Sequence, residues 1–276
     1  MRTDPPGLAE TAERLSLIAL AAGDLVRRMQ GTVKGRLKSD GSPTSRADLA
    51  AEAAILAGLR EAWPDIPVVA EETACTAGCG ALFFLADPLD GTKCYLAGEP
   101  EFTVNIALVR EGRPVAGVIV APALGRAWRA GADAREARFA PGDPASGLAW
   151  RPVRTRPTPG DGVVALVSKR HGDAASEAAI AALPQPRRRT ASSAVKFGLI
   201  AAGEADVYVR CGRTMEWDTA AGDAIVTAAG GRVIGSDGQP LTYGHRGRGY
   251  ANGCFAALGD PALAGHLRLP DTCAIA

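Results

Sequence analysis

The sequence predicts a layered fold of mixed helix and sheet, α/β or α+β, rather than a strictly doubly wound parallel sheet. Helical and strand-like patterns alternate along the 276 residues, but several expected strands follow one another with no helix between them. No internal repeat divides the chain. A chain of this length can bury one large hydrophobic core or two closely joined ones.

The amino-terminal half is predicted to begin with two helices. Apolar residues recur at helical spacing from Leu8 to Met29, and a second helical pattern covers about 48–63, before Pro64. The first two strand-like runs after these helices each stop at an acid, Glu71 or Asp87. Strands are expected at residues 67–70, 81–86, 102–109, 114–122 and 125–131.

The stretch 132–162 is rich in Pro, Gly, Arg and Asp, so we expect it to connect two lobes. We therefore predict an amino-terminal lobe over residues 1–135 and a carboxy-terminal lobe over residues 136–276. Gly230 and Gly231 follow the last helical pattern in the manner of a C-cap. The second lobe is expected to contain strands at 163–168 and 205–210 and helices at about 173–183, 193–202 and 219–229.

Composition gives no sign of a nucleic-acid or membrane partner. Lys and Arg number 31 against 30 Asp and Glu, so the net charge exerts no long-range attraction on either. No apolar run approaches the length of a membrane span, and the first ten residues lack the apolar core of a signal peptide. The cysteines are scattered, which favours reduced thiols and a cytoplasmic protein. They are Cys75, Cys79, Cys94, Cys211, Cys254 and Cys273.

The segment FFLADPLDGTKCYL carries the sharpest chemical signal. An apolar strand is expected to end at Asp87, Pro88 to force a turn, and Gly91-Thr92 to open a helix just after Asp90. Two carboxylates packed so closely repel each other unless they share a cation or a proton. Amides at a helix amino terminus bind phosphate oxygens well. Taken alone, an Asp-Gly turn with a capping Asp explains the segment equally well.

Two further acids favour a metal site. Adjacent pairing of the first two strands would place Glu71 beside Asp87, and Asp218 begins a helical pattern, although a plain N-cap would also explain it. His171, His245 and His266 lie outside these segments. An all-oxygen ligand set suits Mg²⁺ and not zinc. We therefore expect metal-assisted transfer of a phosphoryl group to water.

The segments VVAEET, DPLDGT and EWDTAAG, in this order, resemble the signature of the inositol monophosphatase superfamily of Mg²⁺-dependent, lithium-sensitive phosphatases. The longer stretches EFTVNIALV, APALG and SSAVKFGLIAAGEADVY resemble its 3′(2′),5′-bisphosphate nucleotidase branch. That branch converts 3′-phosphoadenosine 5′-phosphate, a by-product of sulfate assimilation, into AMP. The resemblance covers roughly residues 8 to 260. It implies an αβαβα sandwich of the inositol monophosphatase and sugar phosphatase type, with the metal site between an α+β lobe and an α/β lobe.

The resemblance also implies individual roles. Two or three Mg²⁺ ions would be held by Glu71, Asp87, the carbonyl of Leu89, Asp90 and Asp218. The catalytic residues would be Asp48 and Thr92, which would orient the attacking water, together with Glu71. The substrate, a small phosphorylated molecule such as a nucleotide bisphosphate, would contact Gly91, Thr92, His171, Ser192, Ser193 and Lys196. Arg213, just before the Asp218 motif, adds a cation that could meet a second phosphate.

Several alternatives remain open. Asp48, Thr92 and Ser193 could be helix caps, and His171 could be a lone surface histidine. The run Arg187–Arg189 could face a second phosphate, although a solvated basic loop is favoured.

The sequence also departs from the branch. Cys94 stands where an acid is usual, Tyr95 replaces Phe, Ala70 precedes Glu71 in place of Ser, and Ala191 replaces a glycine. These departures weaken the substrate assignment more than the reaction class. An inositol monophosphatase or fructose-1,6-bisphosphatase on the same scaffold is one rival function, and a non-catalytic regulatory protein is another. Either a monomer or a homodimer is compatible with the sequence.

Overall fold

Three layers of helix enclose two β-sheets in the computed structural model, in the order helix, sheet, helix, sheet, helix. This is the layered αβαβα sandwich that the sequence predicts, and the fold class is confirmed. The structure describes residues 7–38, 41–73, 79–140, 142–143, 147–170 and 172–271.

The elements follow one another closely along the chain. In the first half they are α1 (Leu8–Met29), β1 (Gly35–Leu37), β2 (Pro43–Ser45), α2 (Arg46–Ala62), β3 (Val68–Ala70), β4 (Leu82–Asp90), α3 (Thr92–Leu96), β5 (Thr103–Arg110), β6 (Arg113–Ala121), β7 (Arg126–Ala130), β8 (Ala134–Arg138) and β9 (Arg151–Pro152). In the second half they are β10 (Val164–Ser168), α4 (Ala174–Ala181), β11 (Arg187–Ala191), α5 (Val195–Ala201), β12 (Val207–Arg210), α6 (Glu216–Ala228), β13 (Arg232–Gly235) and β14 (Phe255–Leu258). Short 3₁₀ turns occur at Arg246–Arg248 and Pro261–His266.

The two large sheets differ in strand direction. The seven-stranded sheet has the order β3-β4-β5-β6-β7-β8-β9 and is antiparallel except for the parallel pair β3 and β4. The five-stranded sheet has the order β11-β10-β12-β14-β13, in which β10 runs parallel to β11 and β12, and β14 runs antiparallel to both neighbours. A separate hairpin joins β1 to β2.

Alternate residues of the central strands bury opposite faces of the seven-stranded sheet. Phe84 and Ile106 pack with α1 and α2, whereas Phe83 and Val109 pack with the layer that contains α5 and α6. Successive side chains of a strand point to opposite faces, so a strand covered on both sides is apolar throughout. The central helices are therefore held between the two sheets, and they bring the start of α6 toward the end of β4.

Close contact between α5 and α6 depends on a glycine. A Cβ atom on Gly222 of α6 would lie 2.2 Å from the ring of Phe197 in α5, which is shorter than any real contact. Phe197 itself packs against Tyr208 and Phe255 of the five-stranded sheet, with ring centroids 5.5 and 6.0 Å away. The sequence pattern EWDTAAG therefore includes a glycine that the packing of the middle layer requires.

Several elements differ from the sequence expectation. β4 continues past Asp87 to Asp90, with one extra residue relative to β5, and does not stop at Asp87. α6 begins at Glu216, three residues before the expected start. The stretch 132–162, expected to be a connection, contributes β8 and β9 to the edge of the seven-stranded sheet. The sequence did not indicate β13 and β14, which are only four residues long.

Two expectations from the sequence concern the state of the cysteines and the presence of membrane-spanning helices. Among the described residues, Cys79, Cys94, Cys211 and Cys254 are not joined in disulfide bonds. Cys75 and Cys273 lie outside the described residues. No helix among the described residues is both long enough and apolar enough to cross a membrane.

Candidate active site

A cavity of about 620 Å³ lies where β4 ends and α6 begins. Residues of the seven-stranded sheet and its loops form one side, and residues at the starts of α5 and α6 form the other. All four acids predicted from the sequence to hold a metal line this cavity: Glu71, Asp87, Asp90 and Asp218. The structure therefore brings together carboxylates that are separated by up to 147 positions, from Glu71 to Asp218.

A bulge in β4 delivers Asp87 and Asp90 to the cavity. Asp87 pairs with Asn105 and Asp90 with Thr103, so three steps along β4 match two steps along β5. Pro88 lies in the bulge, where the missing amide hydrogen costs no ladder bond. The amide of Leu89 donates to Asp87 Oδ1 at 2.9 Å, which turns the carboxylate back toward the chain.

Glu71 reaches the same point from the neighbouring strand. β3 runs parallel to β4 with Ala70 opposite Ala86, and the amide of Glu71 donates to the Ala86 carbonyl at 3.2 Å. The pairing of adjacent strands expected from the sequence is thus confirmed. The ammonium of Lys38 donates to Glu71 Oε1 at 2.8 Å and lies 2.6 Å from Glu72 Oε1. Burial lowers the pKa of Lys38, but its hydrogen bonds to the two glutamates outweigh this effect and raise it.

Asp218 enters the cavity from the first turn of α6. The helix begins at Glu216, and Met215 is its N-cap, so Asp218 occupies the third helical position and is not the N-cap. Its Oδ2 atom accepts a hydrogen bond from the Met215 amide at 2.8 Å. The carboxylate therefore satisfies one of the helix's unpaired amides while it also lines the cavity.

Burial raises the pKa of every one of these carboxyl groups, and repulsion by neighbouring carboxylates adds to this effect at Asp87, Asp218 and Glu71. The pKa of Asp87 is raised well above its ordinary value by burial and then by Glu71, Asp90 and Asp218. Burial, followed by the charge of Asp90, raises the pKa of Asp218 to about 8. Burial also raises the pKa values of Asp90 and Glu71, despite the opposing effects of Lys196 and Lys38. Without a cation, these groups tend to share protons near neutral pH.

The donor chemistry of this cluster fits a hard divalent cation. The side chains offer only oxygen, which Mg²⁺ prefers, and a divalent charge would favour the ionised form of each carboxylate. In the part of the chain that the structure describes, no three His, Cys, Asp or Glu side chains already stand as a complete metal cage. Glu71 instead binds Lys38. A cation bound to Glu71 Oε1 would compete with Lys38 for that oxygen.

Asp48 and Thr92 meet beside the carboxylates. Ser45 is the N-cap of α2, and its amide and hydroxyl both donate to Asp48 Oδ2, at 2.8 and 2.7 Å. Asp48 Oδ1 lies 3.2 Å from the Thr92 hydroxyl, which also lies 3.1 Å from the Leu89 carbonyl. Asp48 is thus not the N-cap, although it does bond the N-cap residue. Burial raises the pKa of Asp48.

Gly91 provides the tight turn between β4 and α3. Its φ of +90° lies in the left-handed region, which favours glycine. An added Cβ would also lie 3.2 Å from the Glu101 carbonyl oxygen and 3.4 Å from Ser193 Cβ. Gly91 and Thr92 both line the cavity, as does the buried Cys94 that stands in place of an acid.

Residues 192–194, here named the serine turn, form the wall opposite Gly91. Ser193 adopts a φ of +51° and is not a helix cap, because α5 has Ala194 as its N-cap. The Ser192 amide donates to a Glu101 carboxylate oxygen at 3.1 Å. The buried ammonium of Lys196 donates to the Ser193 carbonyl at 2.7 Å, and burial lowers its pKa to about 8. Ser192, Ser193 and Lys196 all line the cavity.

The other residues considered for substrate contact differ in where they lie. Arg213 lines the cavity, whereas His171 lies outside the described residues. Arg187–Arg189 form the exposed edge strand β11, away from the cavity lining. They form ion pairs with Asp161, Glu177 and Glu204. The favoured interpretation of a solvated basic segment holds for this run, but the segment is a strand and not a loop.

Sequence reasoning missed four cations that line the cavity: Lys38, Lys93, Arg170 and Arg210. Arg210 is the last residue of β12. The rule that selected Asp87, a polar residue at the end of an apolar strand, could also have selected Arg210. Arg170 adjoins the selected His171. Lys38 lies in a polar segment whose pairing with Glu71 spans 33 residues, and no local pattern signals such a contact.

Comparison with known proteins gives consistent results across family, sequence and structure. The family described as the inositol monophosphatase family matches residues 8–267. The 3′(2′),5′-bisphosphate nucleotidases CysQ of Salmonella typhimurium and Escherichia coli K12 are 36% and 35% identical over 246 residues, covering 84% of this chain and 93% of each relative.

Solved structures show the same likeness. CysQ from Bacteroides thetaiotaomicron, described as a bacterial member of the inositol monophosphatase family, superposes with a TM-score of 0.78 at 32% identity, covering 90% of this chain and 97% of that one. An inositol monophosphatase from Anabaena has a TM-score of 0.72 at 24% identity, covering 94% of each chain. At that identity, the second likeness concerns the fold alone.

Proposed function

The chain belongs to the inositol monophosphatase family, and from this premise we propose that it is an Mg²⁺-dependent phosphomonoesterase that hydrolyses 3′-phosphoadenosine 5′-phosphate to AMP and phosphate. One observation carries the reaction class: four carboxyl groups with raised pKa values line one cavity beside an Asp-Thr pair. The choice of substrate is supported by the similarity to 3′(2′),5′-bisphosphate nucleotidases over most of the chain.

Five groups would hold the metal: the side chains of Glu71, Asp87, Asp90 and Asp218 and the carbonyl of Leu89. Bound Mg²⁺ supplies a Lewis acid that makes water more nucleophilic and neutralises charge on a leaving oxygen. The protein's own contribution is to fix these oxygens rigidly, through the bulge of β4 and the first turn of α6. Rigid placement matters because these carboxylates then need no reorganisation when charge develops during the reaction.

Asp48 and Thr92 would orient the attacking water. Two hydrogen bonds from Ser45 fix Asp48 Oδ2, which leaves Oδ1 to accept the proton of the Thr92 hydroxyl. With its proton donated to Asp48, the Thr92 oxygen presents a lone pair that can accept a hydrogen bond from water. The water is then turned so that its own lone pair faces the phosphorus. Glu71 would be the third catalytic residue, and it lines the same cavity as Thr92.

Binding of the substrate would involve the opposite walls of the cavity. Gly91 and Thr92 would meet the reacting phosphate, and Ser192, Ser193 and Lys196 would meet the nucleoside. His171 remains a prediction in the same role. Arg213 offers a guanidinium fork to a second phosphate, which matches the geometry of phosphate oxygens.

Phosphate release from a substrate panel tests this proposal. The panel contains 3′-phosphoadenosine 5′-phosphate, inositol 1-phosphate and fructose 1,6-bisphosphate, each with Mg²⁺ and with excess chelator. We expect the highest kcat/KM for the nucleotide and no turnover in chelator. Preference for the inositol or sugar ester would reject the substrate and retain the reaction class. No turnover of any phosphate ester, by protein shown to be folded, would favour the non-catalytic alternative.

A further inference from the structure

Arg170 extends from the five-stranded sheet across the mouth of the cavity. It follows β10 in the chain and lines the cavity, yet its guanidinium is paired with the carboxylate of Glu99, between α3 and β5. The ion pair therefore joins loops that belong to different sheets. We name these four residues the rim clasp: Lys169, Arg170, Glu99 and Glu101.

The second ion pair of the rim clasp, between Lys169 and Glu101, connects the clasp to the serine turn. Lys169 lies 2.8 Å from Glu101, and the same Glu101 carboxylate accepts the amide of Ser192 at 3.1 Å. The serine turn in turn lies next to Gly91, where an added Cβ would stand 3.4 Å from Ser193 Cβ. The rim clasp is thus joined to the serine turn, which lines the same cavity, by the hydrogen bond between Glu101 and Ser192.

Arg170 is held differently from three other cations that line the cavity, Lys38, Lys196 and Arg210. Lys38 is neutralised by Glu71 and Glu72, and the ammonium of Lys196 is buried against the Ser193 carbonyl. The side chain of Arg210 is only 11% exposed and lies 3.9 Å from Asp173. Arg170 and Glu99 are 39% and 33% exposed. An exposed ion pair of this kind contributes little to stability, so its partner can be exchanged.

We propose that Arg170, together with Arg213, determines specificity: it leaves Glu99 to bind the substrate phosphate that is not hydrolysed. The inference rests on the proposed function and refines it, because it names a residue that distinguishes a bisphosphate from a monophosphate. A phosphate group carries close to two negative charges, whereas Glu99 carries one. The planar guanidinium can also bind two phosphate oxygens at once, which strengthens the interaction and fixes its direction.

Glu99 has a distinct role in this scheme. It holds the arginine at the mouth of the cavity before substrate arrives, and it competes with the phosphate for the guanidinium. Variants of Arg170 and of Glu99 should therefore change the affinity for a bisphosphate in opposite directions. Loss of Arg170 weakens binding of a bisphosphate, whereas loss of the Glu99 charge strengthens it. A clasp that served only to hold the two loops together would lose function in the same direction with either variant.

The test compares Arg170→Ala, Glu99→Gln and the double variant on two substrates, 3′-phosphoadenosine 5′-phosphate and adenosine 3′-phosphate. For the bisphosphate, Arg170→Ala should raise KM roughly 10- to 100-fold with little change in kcat, because a charge-assisted pair of hydrogen bonds is lost. Glu99→Gln should lower KM roughly 2- to 5-fold. The double variant should match Arg170→Ala. The monophosphate should show less than about a 2-fold change in every case.

Arg188→Ala provides a matched control. Arg188 forms a similarly exposed ion pair with Glu177, at 43% and 45% exposure, and does not line the cavity. The Arg188→Ala variant should have the same KM as the wild type for both substrates. Equal loss on both substrates in Arg170→Ala, or a raised KM for the bisphosphate in Glu99→Gln, would overturn the inference.

Direct binding separates this inference from the proposed function. The affinity of AMP and of adenosine is measured calorimetrically in the presence of Mg²⁺ for the wild type and Arg170→Ala. AMP should bind the wild type at least 10-fold more tightly than it binds the variant, with adenosine unchanged. If the wild type binds AMP in this way but does not hydrolyse the bisphosphate, the proposed substrate fails and phosphate binding by Arg170 stands. Equal AMP affinity in the two proteins, or no AMP binding at all, overturns the inference.

Discussion

The Thr92 hydroxyl lies 3.2 Å from Asp48 Oδ1, although the two residues are 44 positions apart in the chain. Each arrives from a different structural feature. Thr92 starts α3 immediately after the bulged end of β4, and Asp48 lies in the first turn of α2, where Ser45 holds its other oxygen. The pair therefore places an oriented hydroxyl next to the carboxylate cluster, and this arrangement leads to the first prediction.

Thr92→Val should lower kcat about 100-fold or more while it changes KM little. Valine keeps the shape of the side chain but removes the hydroxyl that would orient water, and positioned proton acceptors contribute about this much to rate. Steady-state kinetics with saturating Mg²⁺ measure the effect. Thr32→Val is a suitable control, because the Thr32 hydroxyl is exposed and bonds the Met29 carbonyl. Wild-type kcat in Thr92→Val would remove Thr92 from the catalytic residues.

Asp90→Asn should lower activity by at least about 100-fold, since a bound metal contributes several kcal/mol to the reaction. In chelator, the same variant should melt at a higher temperature than the wild type, because one of four repelling carboxylates has lost its charge. Thermal melts at pH 8 with chelator, and again with Mg²⁺, measure both effects. Asp161→Asn, at an exposed ion pair with Arg187, should leave activity and melting unchanged. An active Asp90→Asn enzyme would contradict the proposed ligand set.

The stability of the metal-free protein should fall as the pH rises from about 5.5 to about 8. Folding raises the pKa of Asp218 from 3.8 to about 8 through burial and the charge of Asp90, so the folded chain holds a proton that the unfolded chain has lost. Stability then falls with pH between those two values. Asp87, Asp90 and Glu71 contribute with the same sign.

Urea unfolding in chelator across this pH range measures the effect. Asp218→Asn should flatten the slope, and saturating Mg²⁺ should remove most of it, because the cation favours the ionised form in the folded protein. A wild-type stability that rises with pH over this range, or a slope that Asp218→Asn leaves unchanged, would show that the carboxyl groups do not repel one another as the geometry indicates.

Lithium should inhibit the enzyme and potassium should not. A small monovalent cation can enter a carboxylate site without supplying the second charge needed to neutralise a leaving oxygen. Initial rates are measured with increasing LiCl or KCl at constant ionic strength. Equal sensitivity to the two salts would point to general screening of charge and not to occupation of a site.

Much of the site could be read from local patterns because its acids stand at the ends of elements. Glu71 and Asp87 each follow an apolar run, and the pairing of β3 with β4 makes them neighbours. The exact setting of two other acids could not be read in this way. Asp48 and Asp218 both resemble N-caps in sequence, but each occupies the third helical position and accepts a hydrogen bond from the N-cap amide.

The features that the sequence did not reveal depend on contacts between distant residues. The pairing of Lys38 with Glu71, and of Arg170 with Glu99, links elements that have no common local pattern. β13 and β14 are too short to show a periodic signal and are defined by their pairing with each other and with β12. The division into lobes at residue 135, the oligomeric state and the cytoplasmic location stay predictions.

The dependence of phosphate release on Mg²⁺ tests the central claim most directly. Protein stripped with chelator and dialysed is given 3′-phosphoadenosine 5′-phosphate, and Mg²⁺ is then titrated while phosphate is measured. We predict no release without the cation, a saturable rise as it is added, and no such rise in Asp218→Asn. Full-rate release by the stripped protein would contradict the assignment of Glu71, Asp87, Asp90 and Asp218 to a metal site.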